Sequence, residues 1–503
     1  LTLSQKSTRR FTVILIGGAL ASKVLGFGRE ILMAHVLGAS LVADGFRGAI
    51  TAVMLPLAFL QNESVPAIMI PMHRDALRNG NGPQRLAALT VALTGVALIL
   101  MTIIQLLGER WVHAFVGGFT AEGRSLTLEF VRIMSLGMPA SAMLNVLAAG
   151  EIALGRTRLT NIRASLLNVA VLMGIALLAM SGNVHTLAWS FAIAFNALGA
   201  WALYTMWREG VLSFRGLTLG SVLAAGREFL RRLRPLLALP VAEQGNIWME
   251  RVLASRITTG AVASLDYART LTESALLLIS QPVGLAVLSS HPPKDPAAQV
   301  ESIARPILAL ALPASMFLVM FAPDIVRLVF FRGAFNEHAL LLTSQALRGI
   351  ACGLWAATLG WILIRILNGA GRNFAAAVII VTAYSVNIII NLLTFYIFGA
   401  DDSGTLLLGL GETARGIILL GGVVIALDSR RKLLFLIFLA SIPAALMGLL
   451  GWQVHEHVEA TLPRLLVGGV AYLACIALAL AMLLPSLYVA AFSRVRRLFR
   501  ICI

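Results

Sequence analysis

Charge is scarce in this chain: only 13% of its 503 residues are Asp, Glu, Lys or Arg, against about 25% in a typical soluble domain. That shortfall excludes an ordinary soluble enzyme of one or two domains. Cysteine is scarcer still. Cys352, Cys475 and Cys502 lie in apolar surroundings with no C-x-x-C spacing, so neither a disulfide framework nor a zinc site is indicated, and they read as small core residues. Long polar stretches are also missing. The connections at 181–185, 400–403 and 454–462 are barely long enough to turn, so no soluble domain hangs from that side. Catalytic signatures are absent too, with no H-E-x-x-H, no G-x-S-x-G and no glycine loop suited to phosphate. The triplet His455-Glu456-His457 reads as a solvated turn, not a metal site. No enzymatic constellation remains, and no cofactor is implied.

What the chain has in abundance is apolar sequence: 58% of residues, with a mean hydropathy of +0.86. Runs of roughly 20 apolar residues recur along the whole length, which excludes a barrel of short alternating strands and predicts an all-α polytopic membrane protein. Fourteen such segments can be drawn. An even count puts both ends on one side of the membrane. Placing the N-terminus in the cytoplasm puts Lys6, Arg9, Arg10, Arg74, Arg78, Arg85, Arg156, Arg158, Arg163, Arg430, Arg431, Lys432 and Arg494 to Arg500 inside, as the positive-inside rule requires. The net charge of +16 therefore reads as topology and not as nucleic-acid binding. A cleavable signal ending near Ala19-Leu20-Ala21 is the competing reading of the N-terminus, but the apolar character continues past Lys23. The expected organisation is an N-lobe of six helices (1–207), a cytoplasmic amphipathic linker (208–234), a C-lobe of six helices (235–427) and two C-terminal helices with a basic tail (428–503).

Shifting the chain by 222 residues, the separation of Gly38 and Gly260, aligns GASLVADGFRGA with GAVASLDYARTL. In that register Asp44 meets Asp266, Arg47 meets Arg269 and, upstream, Arg29 meets Arg251. Three charged identities at one offset inside apolar segments indicate an internal repeat. Six helices separate the copies, so the repeat is parallel, about an axis along the membrane normal.

The same elements hold charges where a bilayer disfavours them, at a cost of at least about 2.5–3.5 kcal/mol each at mid-membrane. One cluster comprises Lys23, Arg29, Glu30, Asp44, Arg47 and Glu63; the other comprises Glu243, Glu250, Arg251, Asp266, Arg269 and Glu273. Asp44 with Arg47, and Asp266 with Arg269, are spaced i,i+3 and can meet on one helical face. Ion pairs between helices, or snorkelling at the membrane surface, would account for single members. As a set, excess guanidinium groups suit a phosphate-bearing anion, because the planar fork matches phosphate oxygens. Gly17, Gly18, Gly26 and Gly28, with Pro56, Pro66 and Pro282, interrupt these helices as moving or closely packed helices require.

The segment Ser22-Lys23-Val24-Leu25-Gly26-Phe27-Gly28-Arg29-Glu30, followed by Gly38-Ala39 and Ala43-Asp44-Gly45-Phe46, resembles the start of the MurJ (MviN) lipid-linked oligosaccharide flippases. Tyr267-Ala268, Glu273 and Pro282-Val283-Gly284 add to the likeness. The resemblance implies a V-shaped transporter of the multidrug/oligosaccharidyl-lipid/polysaccharide exporter superfamily, with a cationic central cavity and two extra C-terminal helices forming a lipid-facing groove. It implies alternating access driven by membrane potential or an ion gradient, carrying an undecaprenyl-pyrophosphate-linked glycan, lipid II, to the outer leaflet of the bacterial inner membrane. The expected partners are that glycan lipid and the membrane, with the chain a monomer. Lys23, Arg29, Arg47, Arg251 and Arg269 would bind substrate; Glu30, Asp44, Asp266 and Glu273 would form the gating and ion network. Two positions depart from the family pattern. Its Arg-rich end of helix 2 reads Leu57-Ala58, and its Tyr-x-Asp-Arg reads Tyr267-Ala268-Arg269-Thr270, moving the arginine by about 100° on a helix. An exopolysaccharide or O-antigen repeat unit is the alternative cargo; a multidrug antiporter and a membrane glycan polymerase are more distant alternatives.

Overall fold

The computed structural model describes residues 22–61, 64–289, 296–399, 401 and 403–485, and every regular element among them is helical. Glu63, Cys502, the N-terminal basic run and the Arg494–Arg500 tail lie outside the described residues. The chain divides into two compact units, residues 1–262 and 263–503. The first holds α1 (22–37), α2 (Leu41–Gln61), α3 (Ser64–Arg78), α4 (Gly82–Val116), α5 (Ala121–Ser135), α6 (Met138–Ala153), α7 (Arg158–Ser181), α8 (Thr186–Arg208), α9 (Leu219–Leu233) and α10 (Ala238–Ala254). From α11 (Ala261–Ser289) the second continues with α12 (Pro296–Met320), α13 (Ala322–Phe330), α14 (Glu337–Cys352), α15 (Leu354–Gly369), α16 (Asn373–Phe398), α17 (Gly404–Ala426), α18 (Arg430–His457) and α19 (Thr461–Leu483).

Local chemistry sets the helix ends. Thr120 caps α5 by accepting from the Gly123 N–H, and Asn336 caps α14 by accepting from Ala339. Gly182, at φ +69°, closes α7 in the left-handed conformation. Nine described helices are long and apolar enough to cross a bilayer, and the bent pairs α5 with α6 (45°) and α14 with α15 (48°) add two more. The other segments counted from sequence correspond to α1, α10 and α11, three of the four helices that carry the repeated charges. Residues 42–70, a single apolar stretch by sequence, form two helices, α2 and α3.

Apolar side chains cover the outside as well as filling the interior. Phe438 of α18 and Val470 and Leu473 of α19 are each about two-thirds exposed, as lipid-facing surface is. Interior contacts use small residues: Gly45 and Gly48 of α2 face Thr127 of α5 and Val116 of α4, while Phe46 meets Phe130 edge-on at 6.0 Å. Cys475 is buried as expected, packed with Phe321 and Met447, but Cys352 is exposed.

Candidate functional site

Gly38 and Gly260 occupy similar places: each has positive φ, +61° and +94°, Gly38 two residues short of α2 and Gly260 directly ahead of α11. The 222-residue offset found in sequence thus joins two turns of the same backbone hand, each demanding glycine. At Gly260 the demand is also steric, since a Cβ would lie 2.5 Å from the Ala39 carbonyl oxygen.

In the first unit, α1 and α2 bring three of the expected residues together. The Glu30 carboxylate, buried, accepts from Arg29 Nε at 3.0 Å and pairs with Arg47. Arg29 Nη1 donates to Asn168 Oδ1 of α7 at 2.9 Å, while Asn168 Nδ2 donates to the Ser22 carbonyl at 2.8 Å. Glu30 thus holds two guanidinium groups at once. Arg47 is shut in at 5% side-chain exposure, whereas Arg29 keeps 21%. Lys23 is exposed on the same helix, about 9 Å along the axis from Arg29.

Asp44 has a backbone partner. Its buried carboxylate accepts the Gly260 N–H through Oδ2 at 2.6 Å. Around it, Leu41, Thr120, Ser255, Arg256 and Thr259 line a cavity of about 260 Å³. Arg251 of α10 is buried and donates to the Val262 carbonyl at 3.3 Å; Glu250 beside it is buried as well. Asp44→Asn keeps an acceptor for Gly260 and drops the charge. Its melting temperature in detergent should therefore fall between those of the native chain and Asp44→Ala, with Asp44→Ala losing about 1–3 kcal/mol. Three equal melting temperatures would show that the bond contributes nothing.

In the second unit the expected i,i+3 pair forms: Arg269 Nη1 lies 3.8 Å from Asp266 Oδ1. Arg269 Nη2 also donates to Glu412 Oε1 of α17 at 2.9 Å; Glu412 in turn pairs with Arg415, whose guanidinium sits 5.1 Å over the Tyr384 ring. Asp266, Arg269, Glu412 and Arg415 thus form one chain of ion pairs across α11 and α17. Glu273 is exposed on the same helix.

Sequence reasoning missed Asn168, Glu412, Arg415 and Tyr384. Glu412 and Arg415 carried a usable signal, an i,i+3 charge pair inside the apolar run 404–427, but they stand outside the repeated elements. Asn168 was one polar residue in an apolar helix. The histidine triplet needs correcting. His455 to His457 form the last turn of α18, and His455 Nε2 lies 3.0 Å from Asp324 Oδ2, while Arg464 donates to Asp324 Oδ1 at 2.9 Å. Buried Asp324 therefore ties α18 and α19 to α13. Among the described residues no group of three or more His, Cys, Asp or Glu could hold a metal ion.

A sequence profile of the family described as "Lipid II flippase MurJ" matches residues 33–489. The chain belongs to that family. The probable lipid II flippase MurJ of Rhizobium tropici is 30% identical over 71% of this chain and 69% of its own length. The lipid II flippase MurJ of Burkholderia cenocepacia is 26% identical over 88% and 89%. A solved lipid II flippase MurJ in the inward closed conformation superposes with a TM-score of 0.78 at 16% identity, covering 93% of this chain and 99% of its own. An inward-facing multidrug MATE transporter of the MOP superfamily gives 0.61 at 12% identity, covering 82% and 96%. These two structures carry the fold. Membership makes the MurJ-family chain a transporter and not an enzyme, so the polymerase reading falls away.

Proposed function

We propose that this MurJ-family chain moves lipid II, an undecaprenyl-pyrophosphate-linked glycan, from the inner to the outer leaflet of the bacterial cytoplasmic membrane by alternating access. Both termini lie in the cytoplasm, and the working parts are two six-helix lobes, 1–207 and 235–427, joined by 208–234 and followed by 428–503. The observation that carries the reading is Arg29, a guanidinium anchored by Glu30 and Asn168 that keeps 21% side-chain exposure. Three of the five Arg29 N–H donors are committed to Glu30 and Asn168, leaving two for phosphate oxygens. Lys23 and Arg29 contact the pyrophosphate; Arg47, held by Glu30, supports them. Arg251 and Arg269 complete the substrate-binding set, and Glu30, Asp44, Asp266 and Glu273 form the gating and ion network. Transport draws on the membrane potential or an ion gradient, and the chain works as a monomer.

Complementation tests the cargo. In a strain depleted of its own lipid II flippase, the native chain should restore growth. A well-expressed chain that inserts and fails to rescue would overturn lipid II as cargo and leave an exopolysaccharide or O-antigen repeat unit.

A further inference from the structure

The connection between α8 and α10 holds a second concentration of arginine, outside the clusters above. Helix α9 opens with a reciprocal cap, Thr218 accepting from the Ser221 N–H at 3.2 Å while Ser221 Oγ accepts from the Thr218 N–H at 3.0 Å. One face is built into the protein: Ala225, Phe229 and Leu233 are buried against α4 and α3. The single acidic residue of the helix, Glu228, is spent on Arg85 of α4 and on Arg232.

The outward face has a different composition. Leu219, Leu223 and Leu230 are 75%, 62% and 50% exposed, within about 40° of one another on a helical projection. Arg227, Arg231 and Arg234 are exposed beside that stripe and have no carboxylate partner among the described residues. Arg208 and Arg215, just upstream, are likewise exposed. The height of the helix is fixed as well. Gly226 abuts Ala92, Glu228 pairs with Arg85 and the Ser213 N–H donates to the Pro83 carbonyl, so α9 lies along the first three turns of a bilayer-crossing helix. Exposed Tyr204 and Trp207 at the adjoining end of α8 mark the same level as an aromatic belt does.

We infer that this face of α9 docks on the bilayer surface and selects anionic phospholipid headgroups: the three leucines enter the acyl boundary while Arg227, Arg231 and Arg234 hold phosphates. A soluble acidic partner fits less well, because it would leave three adjacent leucines at headgroup depth to be covered by a charged surface.

The test places a bimane fluorophore at Leu223→Cys, in the full chain with Cys352, Cys475 and Cys502 replaced by alanine, reconstituted in vesicles. Brominated phosphatidylglycerol should quench more strongly than brominated phosphatidylcholine, each near-surface arginine contributing about a five-fold preference. The R227Q/R231Q/R234Q triple variant should bring the two lipids close to parity and keep the quenching itself. R232Q, whose charge is spent on Glu228, should leave the preference unchanged. No quenching by either lipid would overturn docking and leave the face to a soluble partner; equal quenching by both in the native-charge chain would overturn headgroup selection. If the cysteine-free background does not fold, the phosphatidylglycerol retained by the purified native chain and by the triple variant, counted by native mass spectrometry, decides the same point. Equal retention would overturn the inference.

Discussion

Arg29→Ala is expected to abolish growth rescue while the protein still inserts and accumulates, whereas Glu30→Gln should cost the folded protein its stability first. The two residues touch, yet burial separates their roles. Arg29 keeps 21% side-chain exposure and two uncommitted N–H donors; Glu30 is 3% exposed and binds two guanidinium groups. Removing Arg29 leaves Glu30 with Arg47, so the buried charge stays compensated. Two charge-assisted bonds to a pyrophosphate, at about 1.5–3 kcal/mol each, amount to roughly a hundred-fold or greater loss of affinity. Neutralising Glu30 instead takes the shared carboxylate from two partly or wholly buried cations, a change of the kind that costs about 3–5 kcal/mol. Lipid II binding by purified protein and melting in detergent separate the outcomes. Arg29→Lys should fall between native and Arg29→Ala in binding, since an ammonium cannot bridge Glu30, Asn168 and a phosphate in one plane. Full binding by Arg29→Ala, or an unchanged melting temperature for Glu30→Gln, would remove the assigned roles.

Apolar runs of about 20 residues carried the helical class, because barrel strands alternate over about 10, and the i,i+3 rule found the Asp266–Arg269 pair that the structure forms. The repeat was legible because charge is rare enough here for three coincidences to stand out. Helix partners were less so. Glu30 is adjacent to Arg29 in sequence, but that it also binds Arg47, 17 residues on, depends on how α1 lies against α2. Asn168 joins Arg29 across 139 residues, and Glu412 joins Arg269 across 143. A one-dimensional period reports which face of a helix is polar, not which helix comes to meet it. His455 misled for the same reason: a polar triplet beside a turn reads as solvated until Asp324, far back in the chain, is seen to reach it.

Gly349→Ala is expected to unfold the second unit's helix packing, a larger effect than one methyl group suggests. Gly349 near the end of α14 and Gly353 at its joint with α15 meet Gly409, Thr413 and Gly416 of α17. A Cβ on Gly349 would lie 2.5 Å from the Leu406 carbonyl oxygen and 2.8 Å from Gly409 Cα. These are backbone atoms of a helix, so no rotamer change relieves the overlap; the axes must separate. Separation is costly in a membrane, where helices associate through close contact and gain little from excluding water. It would also disturb Gly411, against which Asn387 and Asn391 pack so tightly that a Cβ would lie 2.6 and 2.0 Å from their side-chain oxygens. Overpacking against mobile side chains costs about 1–3 kcal/mol; against backbone, the loss should reach or exceed the top of that range. Gly421→Ala supplies the comparison on α17, since its Cβ would meet nothing within 4 Å and the helix gains about 0.5–1 kcal/mol of propensity. Melting in detergent should therefore fall sharply for Gly349→Ala and hold or rise for Gly421→Ala. Native-like melting of Gly349→Ala would mean that α14 and α17 do not depend on backbone-to-backbone approach, and Glu412 would then owe its position to its arginine partners alone.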